Sequence, residues 1–248
     1  LAAALFPAVL GSLPVLASSS GWVDAEGARL RLLTTGLPDA EGRLHGALEI
    51  DLQPGWKTYW RDPGASGVPP SIDVSQSRNI ASVDIEFPAP MRFDDGYALS
   101  AGYDRPVVLP LVFALADKSQ GAIIEANVFL GVCEKICVPV QASLAVDPLE
   151  APDDADHAAT VENAFARLPA AADASFGVAA VPLAGETLDV EVVLPSGVTE
   201  AELFVASEGG FAVGAPTRRQ QDDRLHFAVP VFDQPRPVPP NTSLPYTL

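Results

Sequence analysis

Three features of the chain predict an all-β fold. Short runs rich in β-branched and apolar residues recur along it, turn signals separate them, and no long stretch keeps a helical period. The 24 prolines and 19 glycines among 248 residues add to the turn content. From Ala28 to Val146 the runs are ARLRLLTT, RLHGALEIDL, SVDIEF, RPVVLPLVFAL, AIIEANVFLGVC and CVPVQASLAV. Strands at this spacing suggest an antiparallel β-sandwich of immunoglobulin-like type, with a lipocalin-like barrel as the alternative.

In chain order, residues 1–20 read as an export signal. LAAALFPAVLGSLPVLA carries no charge, and Val15 and Ala17 put small residues at positions -3 and -1 of a signal-peptidase site before SSSG. The basic start and an initiator methionine are absent, the sole methionine being Met91, so the leader is expected to be clipped at its N-terminus. Pro7, Pro14 and the shortness of the run argue against a membrane anchor, and the longest apolar stretch elsewhere, Val107 to Ala116, is too short to cross a bilayer. An exported chain lives where disulfides persist.

Residues 21–147 hold the sandwich. Residues 148–175 change character at PLEAPDDADHAATVENAFARLPA and read as a linker with one short helix, capped by Asp153 or Asp154, with Val161, Ala164, Phe165 and Leu168 on one face. Residues 176–248 announce a second β-rich domain through TLDVEVVLP, AELFVAS and RLHFAVPVF. It ends in PRPVPPNTSLPYTL without a closing strand pattern, so a truncated domain is expected.

Charge narrows the function. Lys and Arg total 15 against 32 for Asp and Glu, a formal charge of -17 that repels nucleic acid and anionic lipid. No glycine-rich phosphate loop and no internal repeat occurs. The histidines His45, His157 and His226 lie far apart, outside any zinc or Cys/His pattern, and no serine sits in a nucleophile-elbow sequence. Acidic pairs such as Asp153 and Asp154 read as solvated linker charge.

The only cysteines, Cys133 and Cys137, lie in VFLGVCEKICVPVQASL. Two antiparallel strands joined by Glu134, Lys135 and Ile136 place Cys133 opposite Cys137, Val132 opposite Val138, Leu130 opposite Val140 and Val128 opposite Ala142. The last three pairs make one apolar face, and alternation puts the thiols on the other, away from the main core, with Gly131, Pro139, Phe129 and Gln141. Pro139 has no N–H to give, so the 131/139 pair, and by alternation 133/137, should be non-hydrogen-bonded, with Cα atoms about 4.5 Å apart. The two sulfurs can therefore bond. As a staple the bond is poor, because closing five residues stabilises less than the about 3 kcal/mol of a 15-residue loop. Two thiols could also take Cu(I), although no histidine lies near them and Met91 is the only thioether. A redox pair, a permanent staple in an exported adaptor domain and copper handling all remain open on these residues.

Two other stretches stand out. PGWKTYWRDPGASGVPPSI, residues 54–72, crowds Trp56, Tyr59 and Trp60 against a turn, and reads as aromatics anchoring a loop. PAPMRFDDGYALSAGYDRPVVLPLVF, residues 88–113, places Phe93, Asp94, Asp95, Gly96 and Tyr97 in a polar turn between strands.

Together PGWKTYWRDPGASG, the FDDGY segment and VFLGVCEKICVPV resemble the periplasmic N-terminal region of the DsbD family of thiol:disulfide interchange proteins, especially its ScsB-like branch, over roughly residues 25–150. The resemblance implies an immunoglobulin-like domain and a protein-disulfide reductase relay in the periplasm, working through a redox-active disulfide with no bound cofactor. Its implied partners are a membrane-embedded electron-donor domain of the same full-length protein and periplasmic thioredoxin-like proteins. It assigns the attacking thiol to Cys137 and the resolving thiol to Cys133. The acidic pair and tyrosine of the family's cap loop fall on Asp94, Asp95 and Tyr97. Near a thiol such carboxylates disfavour the thiolate, so Asp94 and Asp95 are expected to keep the reduced pair quiet until a partner displaces the loop. Two departures are visible: Gly96 stands where DsbD has a shielding aromatic, and three residues separate the cysteines in place of five.

Overall fold

The computed structural model describes residues 17–64, 67–94, 99–150, 155–181, 183–221, 224–239 and 243–248. Residues 1–16, which hold most of the expected export signal, lie outside this set. The first part of the chain forms twelve strands: β1 (Ala17–Ser19), β2 (Val23–Ala25), β3 (Ala28–Thr35), β4 (Arg43–Leu52), β5 (Lys57–Tyr59), β6 (Ser71–Asp73), β7 (Ile80–Ile85), β8 (Met91–Asp94), β9 (Leu99–Tyr103), β10 (Val107–Leu115), β11 (Ile124–Cys133) and β12 (Cys137–Val146). They make two antiparallel sheets, β1-β3-β4-β10-β7 with β2 on β3, and β12-β11-β5-β9-β8 with β6 on β11.

The sheets face each other as a sandwich, and no closed barrel forms. Leu30, Leu32, Leu48, Ile50, Leu109 and Leu111 from one sheet meet Val128, Leu130, Val132, Val140 and Leu144 from the other in a single buried cluster. The period-two pattern of β12 explains its placement: Val140, Ala142, Leu144 and Val146 are buried, while Pro139, Gln141, Ser143 and Ala145 face out. The expected pairing is found in full, from Val128↔Ala142 to Cys133↔Cys137. Gly131 turns its N–H to the Val68 carbonyl at 3.3 Å, and its own carbonyl accepts the Thr58 hydroxyl at 2.9 Å. Both groups point away from β12, which makes 131/139 the non-hydrogen-bonded pair that Pro139 requires.

Part of the stretch read as an anchored loop is sheet, and so are Phe93 and Asp94 of the expected polar turn, whose Asp95, Gly96 and Tyr97 lie outside the described residues. Lys57–Tyr59 is β5, Met91–Asp94 is β8 and Leu99–Tyr103 is β9, strands of three to five residues that complete the sheet carrying the cysteines. They are too short to show a period of their own in sequence.

Helix α1 (Ala155–Ala166) lies on the outer face of the first sheet, where Val161 and Ala164 are buried against Leu33 and Ala47, and Phe165 stacks on His45 at 4.7 Å between centroids. The expected caps Asp153 and Asp154 fall outside the described residues, and Leu168 sits beyond the helix end, half-buried. No helix among the described residues is long and apolar enough to cross a membrane.

The rest of the chain adds β13 (Gly177–Ala180), β14 (Leu183–Ala184), β15 (Thr187–Val193), β16 (Phe204–Val205), β17 (Ala212–Val213), β18 (Thr217–Gln221), β19 (Arg224–Asp233) and β20 (Tyr246–Thr247). A sheet of order β13-β15-β19-β17, with β14 and β18 alongside, encloses a second cluster of Val190, Val192, Leu203, Phe227 and Val229. β16 pairs with β20, so the terminal SLPYTL that shows no strand pattern in sequence contributes a short one.

Candidate functional site

Cys133 ends β11 and Cys137 begins β12, so the pair spans the mouth of the hairpin across the exposed turn Glu134, Lys135 and Ile136. The two sulfurs are bonded, with Cα atoms 4.1 Å apart, the close approach of a non-hydrogen-bonded pair. The sulfurs differ in access. Cys133 is 8% exposed, hemmed by β5 on its far side, whereas Cys137 stands exposed on β12, which ends the sheet.

β5 supplies the surroundings. Lys57 is the cross-strand partner of Cys133, and alternation returns Tyr59 to the same face two residues on. The Tyr59 hydroxyl lies 2.8 Å from Cys133 Sγ and 3.2 Å from Cys137 Sγ. Its ring is buried, 6% exposed, and glycines make the room for it. A Cβ at Gly131 would stand 3.3 Å from the ring and 3.0 Å from Val68 Cβ; one at Gly67 would stand 2.8 Å from the ring's other edge. Beneath it Gly102 of β9 sits where a Cβ would be 2.1 Å from the Thr58 carbonyl oxygen, so β5 and β9 approach more closely than any side chain allows. Lys57 Nζ lies 4.7 Å over the ring of Phe93, itself 8% exposed on β8. Tyr103, paired with Thr58, donates its hydroxyl to the Pro88 carbonyl at 2.9 Å, and burial pushes its phenol well above the usual range, so it stays a neutral donor.

Of the residues expected at the site, the structure joins Cys133 and Cys137 and places Asp94 at the end of β8, opposite Leu99. Asp95 and Tyr97, with Gly96, lie outside the described residues. Tyr59 is the site residue that sequence reasoning missed. Its signal is the spacing of Lys57 and Tyr59, which share one face only if WKTYW is a strand, and nothing local announces that strand.

Chemically, a hydroxyl within reach of both sulfurs can donate to a thiolate on either one. Among the described residues no group of three or more His, Cys, Asp or Glu side chains gathers as a metal site would need.

Residues 37–148 match the family model of the N-terminal region of thiol:disulfide interchange protein DsbD. This segment is similar to the N-terminal domain of the DsbD family. A solved structure agrees: the N-terminal periplasmic domain of ScsB from Proteus mirabilis is 26% identical, with a TM-score of 0.71, covering 87% of this chain and 85% of that one. That coverage reaches well past the DsbD segment, so the likeness takes in residues of the second β unit or the helix before it. No curated protein sequence matches. The DsbD segment contains β5, β8, β9 and the β11–β12 hairpin, hence every described residue of the site.

Proposed function

We propose that this chain is the periplasmic relay domain of a protein-disulfide reductase, in which Cys133 and Cys137 cycle between dithiol and disulfide without a bound cofactor. The observation that carries the reading is the Tyr59 hydroxyl held against both sulfurs of a hairpin-mouth disulfide whose Cys137 is open to partners. A structural staple has no use for such a donor, while a thiolate intermediate does.

In the reduced state the Cys137 thiolate attacks one sulfur of a partner's disulfide, forming a mixed disulfide and expelling the partner's other sulfur as thiolate. The Cys133 thiolate then attacks Cys137 Sγ, closing the intramolecular bond and releasing the partner's second thiolate. Two electrons pass to the partner, whose two thiolates take up protons. The dithiol is restored by the same exchange in reverse with a membrane-embedded donor domain of the full-length protein, and the acceptors are periplasmic thioredoxin-like proteins. The unequal exposure supports this division of labour, since Cys137 is an exposed residue and Cys133 a buried one. Asp94, Asp95 and Tyr97 belong to the cap of the site in this reading, with the two carboxylates opposing thiolate formation until a partner docks.

Trapping tests the roles. Cys133→Ser should accumulate a mixed disulfide with a thioredoxin-like partner and Cys137→Ser should not; the opposite pattern overturns the assignment. Equilibration in a glutathione buffer tests the cycle itself, because a structural bond would stay oxidised at potentials down to about -300 mV.

A further inference from the structure

β16 and its flanks serve both cores at once. Leu203 and Val205 point into the second cluster, while Phe204 and Ala206, 5% and 4% exposed, belong to the core of the sandwich. From this two-faced strand, contacts run to both arms of the redox site. The Arg92 Nε donates to Glu202 Oε1 at 2.7 Å, another guanidinium nitrogen of Arg92 donates to the Leu203 carbonyl at 3.0 Å, and its Cζ lies 4.7 Å from the centroid of the Phe204 ring. Phe204 also meets Trp60 edge-on, with centroids 6.0 Å apart, and the Ser207 N–H donates to Asp62 Oδ2 at 2.7 Å. Trp60 directly follows Tyr59, with Asp62 two residues further on, and Arg92 directly precedes Phe93.

We propose that residues 202–207 are a positioning element of the redox site: by gripping Trp60, Asp62 and Arg92 they fix the strands that hold Tyr59 beside Cys133 and Phe93 beneath Lys57. The second β unit thereby sets the reactivity of the thiols from a distance, since the hydroxyl that meets the sulfurs belongs to β5. The inference rests on the redox reading above. Arg92 is suited to the task because one planar fork bridges a carboxylate and a carbonyl while stacking on an aromatic face, which a lysine cannot do.

The test uses the full chain, reduced, with the rate of thiol alkylation by iodoacetamide followed against pH. Arg92→Met keeps the side-chain stem and removes the fork. Alkylation at neutral pH should slow about fivefold and the whole profile should move to higher pH, as Tyr59 loosens from the thiolate it stabilises. Arg92→Lys should recover only part of the rate. A brace that merely stabilised the fold would lower the melting temperature and leave the profile in place, and that result overturns the proposal. Should Arg92→Met fail to fold, Glu202→Lys decides in its stead: the Glu202 side chain is half exposed, and a lysine there repels Arg92 without burying anything. Its profile should move the same way, and an unmoved one counts against the brace. Glutathione equilibration of the wild-type chain separates the two levels: an inert wild-type disulfide defeats the relay, whereas a responsive wild type with an unshifted Arg92→Met profile defeats only the brace.

Discussion

The β11–β12 hairpin provides both sulfurs and little of their setting, whereas β5, β8 and β9 provide the setting and no sulfur. The hairpin strands run ten residues each, pair without a slip, and bury one whole face in the core. The other three are three to five residues long and hold together by close backbone approach at glycines and by aromatic packing. Register, and with it the bondability of the cysteines, is thus set by the robust half. The groups around the sulfurs, the Tyr59 hydroxyl and Lys57 with Phe93 beneath it, come from the fragile half, and on the proposed function they set reactivity. In the proposed relay the separation would let the hairpin keep its register whatever the oxidation state of the sulfurs.

The largest loss should come from the fragile half. Gly102→Ala places a methyl 2.1 Å from the Thr58 carbonyl and 2.9 Å from Tyr59 Cα, both backbone atoms, so β9 must part from β5. We expect a loss of about 3 kcal/mol or more in urea denaturation, together with loss of the Tyr59 contact to the sulfurs. Reduction of the disulfide should do less, because the hairpin does not depend on it. A five-residue loop limits the chain-entropy contribution to about 2 kcal/mol, measured as the difference between denaturation curves of the oxidised and reduced chain. A much larger loss on reduction would mean that the bond, and not the apolar pairs, holds the register.

The same division explains what the amino-acid sequence discloses. Alternation over Val128, Leu130 and Val132 against Val138, Val140 and Ala142, with Pro139 forcing the parity of the pairs, is enough by itself to place Cys133 opposite Cys137. The helix is legible for a similar reason, since Val161 and Ala164 share a face. β5 is not, because three residues cannot establish a period and Lys57–Tyr59 becomes a strand only by lying between β11 and β9. Gly67, Gly102 and Gly131 carry no local signal of their office, which is to admit the Tyr59 ring or the β5 backbone, a long-range fact. The double duty of AELFVAS is hidden likewise: a run apolar on both faces looks like any buried strand until two cores are seen on either side of it.

The smallest structural change should give the sharpest functional one. Tyr59→Phe keeps the ring in its glycine-lined place and removes only the hydroxyl that lies 2.8 Å and 3.2 Å from the two sulfurs. Stability should fall by about 1 kcal/mol, the ordinary worth of a buried hydrogen bond. The chemistry should suffer more, because the hydroxyl donates to the charged form of the thiol and not to the neutral one, so its loss disfavours the thiolate. The sign is fixed by that preference: the alkylation profile of the reduced pair moves to higher pH, and at neutral pH the rate drops about tenfold. Because Arg92→Met only loosens the arm that carries Tyr59, the double variant should be little slower than Tyr59→Phe alone. Independent, multiplying losses would show instead that the brace reaches the sulfurs by another route, with Phe93 and Lys57 the nearest one available.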